Sequence, residues 1–550
     1  MRPALRVVAQ VVSVPALVRV VVAYALFTIT EYAVWIGVLV YAYSFGGATA
    51  AGLVALAQLA PATVLAPLIA TLADRYPPGR TMTASYGIQT VATAAIGVCV
   101  LTGAPPLATY AAAVVASTAM TATRPAQAAL TPGLTRSVEE LAATNVVVGW
   151  LESLGIVLAG LVAGLALAAD SLTSIFAGSA VMLLSAMALV APLRVPAAAS
   201  PATGVAPEAF RQVARGIKEV TGHRQSRLLV GLLGSEYILI GALDVLFVVV
   251  AVEVLHRTTA WTGYLNTAFG AGGVLLGSLA ALLVGRRLGP VICTCALLTG
   301  LALGATLLLP GPVTVVALLA VVGGSRALYD VATRTLLQRA VPADLVARMF
   351  GLAEGLSMAG LAVGSLLTPA LVAIGGGKLA LAGVAAVLPM MVLVRGRVIL
   401  RLDDDAHVPV VEIALLRSLR IFQGLPATAL EGVARSLVRV DVEQGAVVIR
   451  QGDLGTHYYA IAAGELDVRQ DGIHLRTLGR GEGAGEIALL RGVPRTASVV
   501  ALTSATLYSL DREAFLAVLS AHTRARSTAS AIVGELRAGD LLRSGDPAPG

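Results

Sequence analysis

Charge is what this chain has least of. Of its 550 residues only 13% are Asp, Glu, Lys or Arg, against roughly a quarter in soluble domains. Hydrophobic residues make up 57%, and the mean hydropathy is +0.84. That balance excludes a chain folded along its whole length as a soluble globule. Lysine is nearly missing, with Lys218 and Lys378 alone, while Arg, Ala, Gly and Val abound, a usage that fits the codon bias of a GC-rich bacterial genome. The three cysteines, Cys99, Cys293 and Cys295, each lie inside an apolar run, which argues against a disulfide framework or a cysteine-based zinc site. The histidines are scattered, with no metal or Ser-His-Asp spacing, and no G-x-x-x-x-G-K phosphate loop occurs. The sequence therefore reads as no enzyme, no ATP-driven pump and no holder of a metal or cofactor.

What is there is apolar sequence of membrane-spanning length, about 20 residues per crossing. Such runs fall near 17–43, 50–73, 82–103, 106–129, 142–168, 172–192, 228–252, 261–284, 290–309, 312–333, 346–374 and 378–394, which predicts twelve spans. The basic N-terminal stretch runs into the first span without a small-residue cleavage site, so it is expected to be retained. With the N-terminus inside, nearly all the basic residues of the loops between spans fall on the inner side, and the outer loops hold only Arg257 and Lys378. The positive-inside rule then places both termini in the cytoplasm of a bacterial plasma-membrane protein. The +7 net charge faces the inner leaflet and makes nucleic acid a poor partner. Domain boundaries follow: a six-helix half over 1–195, a cytoplasmic linker over 196–227, a second six-helix half over 228–395, a connector over 396–411 and a soluble domain over 412–540.

The halves repeat each other. "TITEYAVWIG" (28–37) echoes "LGSEYILIGA" (233–242), and "GWLESL" (149–154) echoes "GLAEGL" (351–356). A duplicated six-span unit, with "ATLADRYPPGRT" (70–81) after span two, resembles the major facilitator superfamily and its G-x-x-x-D-R-x-G-R-R loop. The loop keeps Asp74, Arg75 and Arg80, replaces the first glycine by Ala70 and adds a proline before Gly79. Among that family, the stretch 123–145 is most similar to multidrug, macrolide and siderophore exporters. The resemblance implies a midplane substrate site between the halves and a gating role for Asp74, Arg75 and Arg80.

Five carboxylates fall well inside the spans: Glu31, Glu152, Glu236, Asp244 and Glu354. Each costs about 2.5–3.5 kcal/mol there unless compensated. Either they titrate, coupling protons to transport, or they serve as hydrogen-bonded helix glue. Because spans one and seven line the cavity in the resembled family, Glu31 and Glu236 are the first proton-site candidates and Asp244, two turns beyond Glu236, is the third. Arg124 and Arg326, placed near the cytoplasmic ends of spans four and ten, read as binding an anionic substrate, as balancing a carboxylate, or as snorkelling interfacial residues; Glu152 and Glu354 join them as possible substrate or counter-charge residues.

After residue 411 the composition turns soluble: an amphipathic helix, then short strand-like runs between glycine turns, which predicts a small β-roll. "GEIALLRGVPRTASV" (485–499) joins a turn to a short helix, with an arginine returning beside it. Amides at the start of that helix together with Arg495 would hold an anion, and Glu486 would accept from a hydroxyl. The segment 412–520 resembles a cyclic nucleotide-binding domain, and 485–498 its phosphate cassette. The resemblance implies Glu486 for the ribose 2′-hydroxyl, Arg495 with the backbone of Gly485, Ile487 and Ala488 for the cyclic phosphate, and Thr496, followed by Ala497, near phosphate or purine. Ala484 departs from the aromatic usual there.

The sequence thus predicts a mainly α membrane protein, a twelve-helix bundle of two six-helix halves, followed by a cytoplasmic α+β cyclic nucleotide-binding β-roll. Its partners are protons, the lipid bilayer, a small-molecule substrate and a regulatory ligand, cAMP or cGMP. The leading function is a proton-coupled exporter regulated by the nucleotide. The alternatives are a non-transporting membrane-anchored sensor and an exporter of the cyclic nucleotide itself. Substrate, coupling ion and oligomeric state are not legible.

Overall fold

The computed structural model describes residues 10–135, 138–193, 195, 224–283, 286–340, 343–405, 410–423, 425 and 427–521. Residues 196–223 of the expected linker, and the side chains of Asp74, Arg75, Glu354 and 403–405, lie outside the described residues. The chain divides into two compact units, one taking in nearly all of it up to Ala406 and the other running from His407 to Gly550.

The first unit is helical. Its elements are α1 (Pro15–Arg75), α2 (Pro78–Thr102), α3 (Pro106–Met120), α4 (Thr123–Leu130), α5 (Val138–Ala168), α6 (Leu172–Val190), α7 (Arg224–Val249), α8 (Ala260–Gly277), α9 (Gly289–Leu308), α10 (Pro312–Ala340) and α11 (Ala343–Asp405). Among the described residues, eight helices are long and apolar enough to cross a membrane. At 1.5 Å per residue, the 61 residues of α1 and the 63 of α11 would each outrun a hydrocarbon layer of about 30 Å roughly threefold. Both are broken by glycine pairs instead: Gly47 takes φ +59° and Gly376 φ +72°, a left-handed conformation that costs glycine nothing. The ranges expected of spans one and two are therefore the two limbs of α1, and those of spans eleven and twelve the two limbs of α11. The range of span four is shared by α3 and α4, and a π turn (Val250–Val254) closes α7.

The first-half helix α5 and the second-half helix α8 meet backbone to backbone. A methyl added at Gly263 would sit 2.3 Å from the amide nitrogen of Gly164 and 2.5 Å from the carbonyl of Gly160. Small residues at i and i+4 are what allow helices to approach this closely in lipid. Gly263→Ala is therefore expected to destabilise the bundle by about 1–3 kcal/mol, because the obstruction is backbone and cannot rotate away. Gly178→Ala, where a methyl meets nothing within 4 Å, is the matched control. Thermal unfolding of the two purified variants in the same detergent checks this; equal melting would show that the crossing yields freely.

The second unit has helices α12 (Val410–Ser418) and α13 (Ala427–Arg435), then strands β1 (Val438–Val442), β2 (Val447–Ile449), β3 (His457–Ala463), β4 (Leu466–Gln470), β5 (Ile473–Leu478) and β6 (Gly483–Ala484). The short helix α14 (Glu486–Arg491) precedes β7 (Ser498–Ala501), β8 (Ala505–Asp511) and α15 (Arg512–Ala521). The strands form two antiparallel four-stranded sheets, ordered β1-β8-β3-β6 and β2-β7-β4-β5. Between the sheets lies an aliphatic core that includes Ile461, Leu466, Leu478, Val499 and Leu507. The helices close a second core in which Phe515 stacks on Tyr458 at 4.9 Å, with Phe422 edge-on to both. Burial would raise the Asp467 carboxyl; hydrogen bonds from Arg469 and His474 outweigh it and hold the group below the usual carboxylate range, tying β4 to β5.

Candidate functional site

In the roll, an open-sided pocket is bounded on one side by residues 484–488 and on the other by the inner face of the β2-β7-β4-β5 sheet. Gly485 caps α14 at φ +100°, and a methyl there would lie 2.4 Å from Nη1 of Arg495, so both backbone shape and space require glycine. Arg495 reaches back into this corner. Its Nη1 donates to the carbonyl of Gly485 at 2.8 Å and its Nη2 to the carbonyl of His457 at 2.5 Å. Its backbone is fixed as well: the amide donates to the Asp453 carbonyl at 2.8 Å, and its carbonyl accepts from Gly452 at 2.9 Å. The guanidinium is thus pre-aimed, and burial holds its pKa below the ordinary value against the opposing pull of Tyr459, Glu486 and Asp453. A desolvated cation beside an open pocket is a place for an anion.

Glu486, 5% exposed, and Ala488 are buried at the start of α14, Ile487 and Ala497 are half-buried, and Thr496 lies exposed on the rim. The structure brings Gly485, Glu486, Ile487, Ala488, Arg495, Thr496 and Ala497 together around this one pocket. It adds Arg476, from β5, to the lining.

In the helical unit the structure pairs the charges. Arg124 on α4 grips Glu31 on α1 with two parallel bonds of 2.8 Å, and its Nε lies 3.6 Å from Glu152 on α5. Tyr24 donates to the same Glu152 at 2.5 Å, and Phe27 stacks beneath the guanidinium at 5.7 Å. In the second half Arg326 donates to Glu236 at 2.8 Å, with Phe269 at 5.7 Å. Arg326 sits at the midpoint of α10 rather than near its end, since that helix continues past the apolar run to Ala340. Glu236 is wholly buried, and its Oε2 has no hydrogen-bond partner among the described residues. Asp244 shares α7 but accepts from Trp35 on α1 instead. Arg80 is exposed in the first turn of α2.

Two family models match the chain: Major Facilitator Superfamily over residues 20–291 and Cyclic nucleotide-binding domain over residues 439–522. The chain is a major facilitator protein with a cyclic nucleotide-binding domain fused behind it. The cyclic nucleotide-binding domain is similar to the cAMP-dependent protein kinase regulatory subunit of Yarrowia lipolytica, 35% identical over 106 residues, which is 19% of this chain and 28% of the relative. It is likewise similar to that of Blastocladiella emersonii, 34% over 108 residues, 19% and 27% of the two chains. The chain therefore spans little more than a quarter of those relatives' length. Among solved structures, the regulatory domain of Toxoplasma gondii PKA crystallised with cAMP is 30% identical, covering 20% of this chain and 44% of that one at a TM-score of 0.20. The sensor domain of the regulator DNR from Pseudomonas aeruginosa is 22% identical over 22% and 91%, at 0.21.

Some polar contacts of the facilitator bundle escape a reading by composition. Tyr43 donates to Glu253 at 2.7 Å, joining α1 to the π turn after α7. Glu253 stands one residue beyond the apolar run 228–252, so a scan for charges inside spans passes it by. Arg334, one residue past the apolar run 312–333, bridges Asp330, near the end of that run, and Tyr237 at 2.7 and 2.9 Å.

Proposed function

We propose that this facilitator is a secondary active transporter, a proton-coupled exporter of a small molecule in the bacterial plasma membrane. In this reading it has twelve spans and both termini in the cytoplasm, and cAMP or cGMP bound through Glu486 and Arg495 regulates its cycle. The observation that supports the proton coupling is the Glu236–Arg326 contact, in which a fully buried carboxylate has one oxygen on the guanidinium and the other without a partner among the described residues. When the guanidinium swings away, so poor a site cannot keep a bare charge, and a proton takes its place. Glu31 pairs with Arg124 at the equivalent position of the first half, there through both oxygens and in a partly exposed site. Export of the nucleotide itself would need cations for its phosphate, and Arg124 and Arg326 are each engaged by a carboxylate. A plain anchor would not need the pairs at all.

Regulation can shift the transport equilibrium only by the ligand's differential affinity for two states, typically about 1–3 kcal/mol, or about 5–150-fold. The test is flux in proteoliposomes under an imposed pH gradient, over a panel of lipophilic and siderophore-like compounds, with and without cyclic nucleotide on the sensor side. Gradient-dependent flux raised by nucleotide is expected. By reciprocity the transported compound changes nucleotide affinity by the same factor. Flux indifferent to both the gradient and nucleotide would overturn the reading.

A further inference from the structure

We propose that Asp330 is a proton relay for Glu236, carrying protons between that enclosed carboxylate and water. This rests on the proton-coupled reading above and adds the residue that delivers the proton.

Glu236 poses a problem of access. Its side chain is 0% exposed, so no water touches the oxygen left without a partner among the described residues. A proton bound there has to be handed over by a neighbouring group. Arg326 holds the other oxygen and cannot serve, since a guanidinium does not give up its protons in a protein. Tyr237 is the next residue on α7, Tyr329 lies on α10 and Cys293 on α9, but phenols and thiols as classes release protons only at much higher pH than carboxyls. Asp244, two turns along α7, is engaged by Trp35. Of the charged groups felt at Glu236, namely Asp330, Arg326 and Arg334, only Asp330 can exchange a proton.

Its position suits the task. Asp330 stands one turn from Arg326 on α10 and shares its face, and its side chain is 26% exposed, so it has the contact with water that Glu236 lacks. Arg334, one turn further on, donates to Asp330 at 2.7 Å and to the hydroxyl of Tyr237 at 2.9 Å, which turns Asp330 toward α7 beside the residue that follows Glu236. Two ties therefore bracket it: Arg326 to Glu236 on one side and Arg334 to Tyr237 on the other. The transfer balances. Hydronium gives its proton to the Asp330 carboxylate; that O–H bond then breaks as another forms at Oε2 of Glu236, directly or across one water molecule, and Asp330 is again a carboxylate. While Asp330 is neutral, Arg334 keeps the Tyr237 oxygen as acceptor, so its cation is not left bare.

The experiment follows Glu236 by infrared spectroscopy on the full-length protein in detergent, using the carboxylic C=O band that Glu236→Gln deletes. A photo-released proton pulse gives the rate at which the band rises, and a pH titration gives its midpoint. Asp330→Asn is expected to slow the rise by about a hundredfold, and Asp330→Glu to keep it within about tenfold of wild type. Formate added to Asp330→Asn is expected to restore the rate in proportion to its concentration without moving the midpoint, because a mobile weak acid can do a relay's task but cannot replace a structural contact. Asp330→Ser, which likewise cannot titrate, carries the same expectations should the amide variant misfold. An unchanged rate, or a slowing that formate leaves in place, would overturn the relay. Absence of a Glu236 band at every pH would overturn the relay and proton coupling at this site together. Exchange rates as expected, with flux in proteoliposomes indifferent to the pH gradient, would support the relay and overturn the transport reading alone.

Discussion

Arg495→Ala is expected to lower cyclic nucleotide affinity by about 2–5 kcal/mol, thirty-fold to several-thousand-fold, the usual loss when one partner of a desolvated charge pair is truncated. The structure argues for the upper part of that range. The guanidinium is 7% exposed, anchored through two carbonyls and further fixed by its own backbone bonds to the 452–453 turn. It is therefore preorganised, and little of its attraction for phosphate is lost to ordering. Arg495→Lys should rescue poorly, since a single ammonium cannot span the Gly485 and His457 carbonyls and still face a ligand. Calorimetry on the full-length protein decides it; unchanged affinity in Arg495→Ala would remove the phosphate from this corner.

Arg326→Ala is expected to be the most destabilising charge deletion in the bundle, by about 3–5 kcal/mol, because it strands the wholly buried Glu236 without a counter-charge. The double variant Arg326→Ala with Glu236→Gln should recover most of that loss, since the amide needs no cation. Arg124→Ala should cost less: its side chain is 43% exposed and that of Glu31 19%, so water can replace what is lost. Transport divides differently. Glu31→Gln and Glu236→Gln each keep size and hydrogen bonding but cannot exchange a proton, and both are expected to abolish gradient-driven flux in folded protein. Unfolding in detergent, measured beside proteoliposome flux, separates the two effects. A double variant no more stable than Arg326→Ala would show that Glu236 is not stranded by the deletion, and normal flux in both Gln variants would make the carboxylates structural.

The residues gathered around the pocket of the roll could be picked out together because they are local. Gly485, Glu486 and Arg495 lie within eleven residues, and their chemistry can be read from one turn and one short helix. The membrane carboxylates were legible one at a time, as charges in apolar runs, but their partners were not. Glu31 and Arg124 stand 93 residues apart and Glu236 and Arg326 stand 90 apart, so only packing makes them pairs. Arg476, which lines the pocket from β5, is masked by Leu475: alternation counted from that leucine puts the arginine outside, whereas the pairing with β4 leaves Leu475 as an extra residue and sets Arg476 on the face of Leu478. Glu253 was hidden by falling just past the end of an apolar run. The bends of α1 and α11 could have been sought in "GG" at 46–47 and 375–376, yet such pairs also occur within continuous helix, as at Gly272–Gly273 of α8.

The meeting of Gly160, Gly164 and Gly263 has a mechanical side. Where helices interlock through large side chains, moving one against the other means lifting knobs out of holes, and the motion goes in notches. Here, at the point where Gly263 crosses Gly160 and Gly164, main chain meets main chain, closer to a plain bearing than to a ratchet. Such a joint passes a rocking motion from one half to the other with small, even friction and few rotamers to reset on each stroke. It is also intolerant of grit, and one stray methyl is enough to bind the shaft.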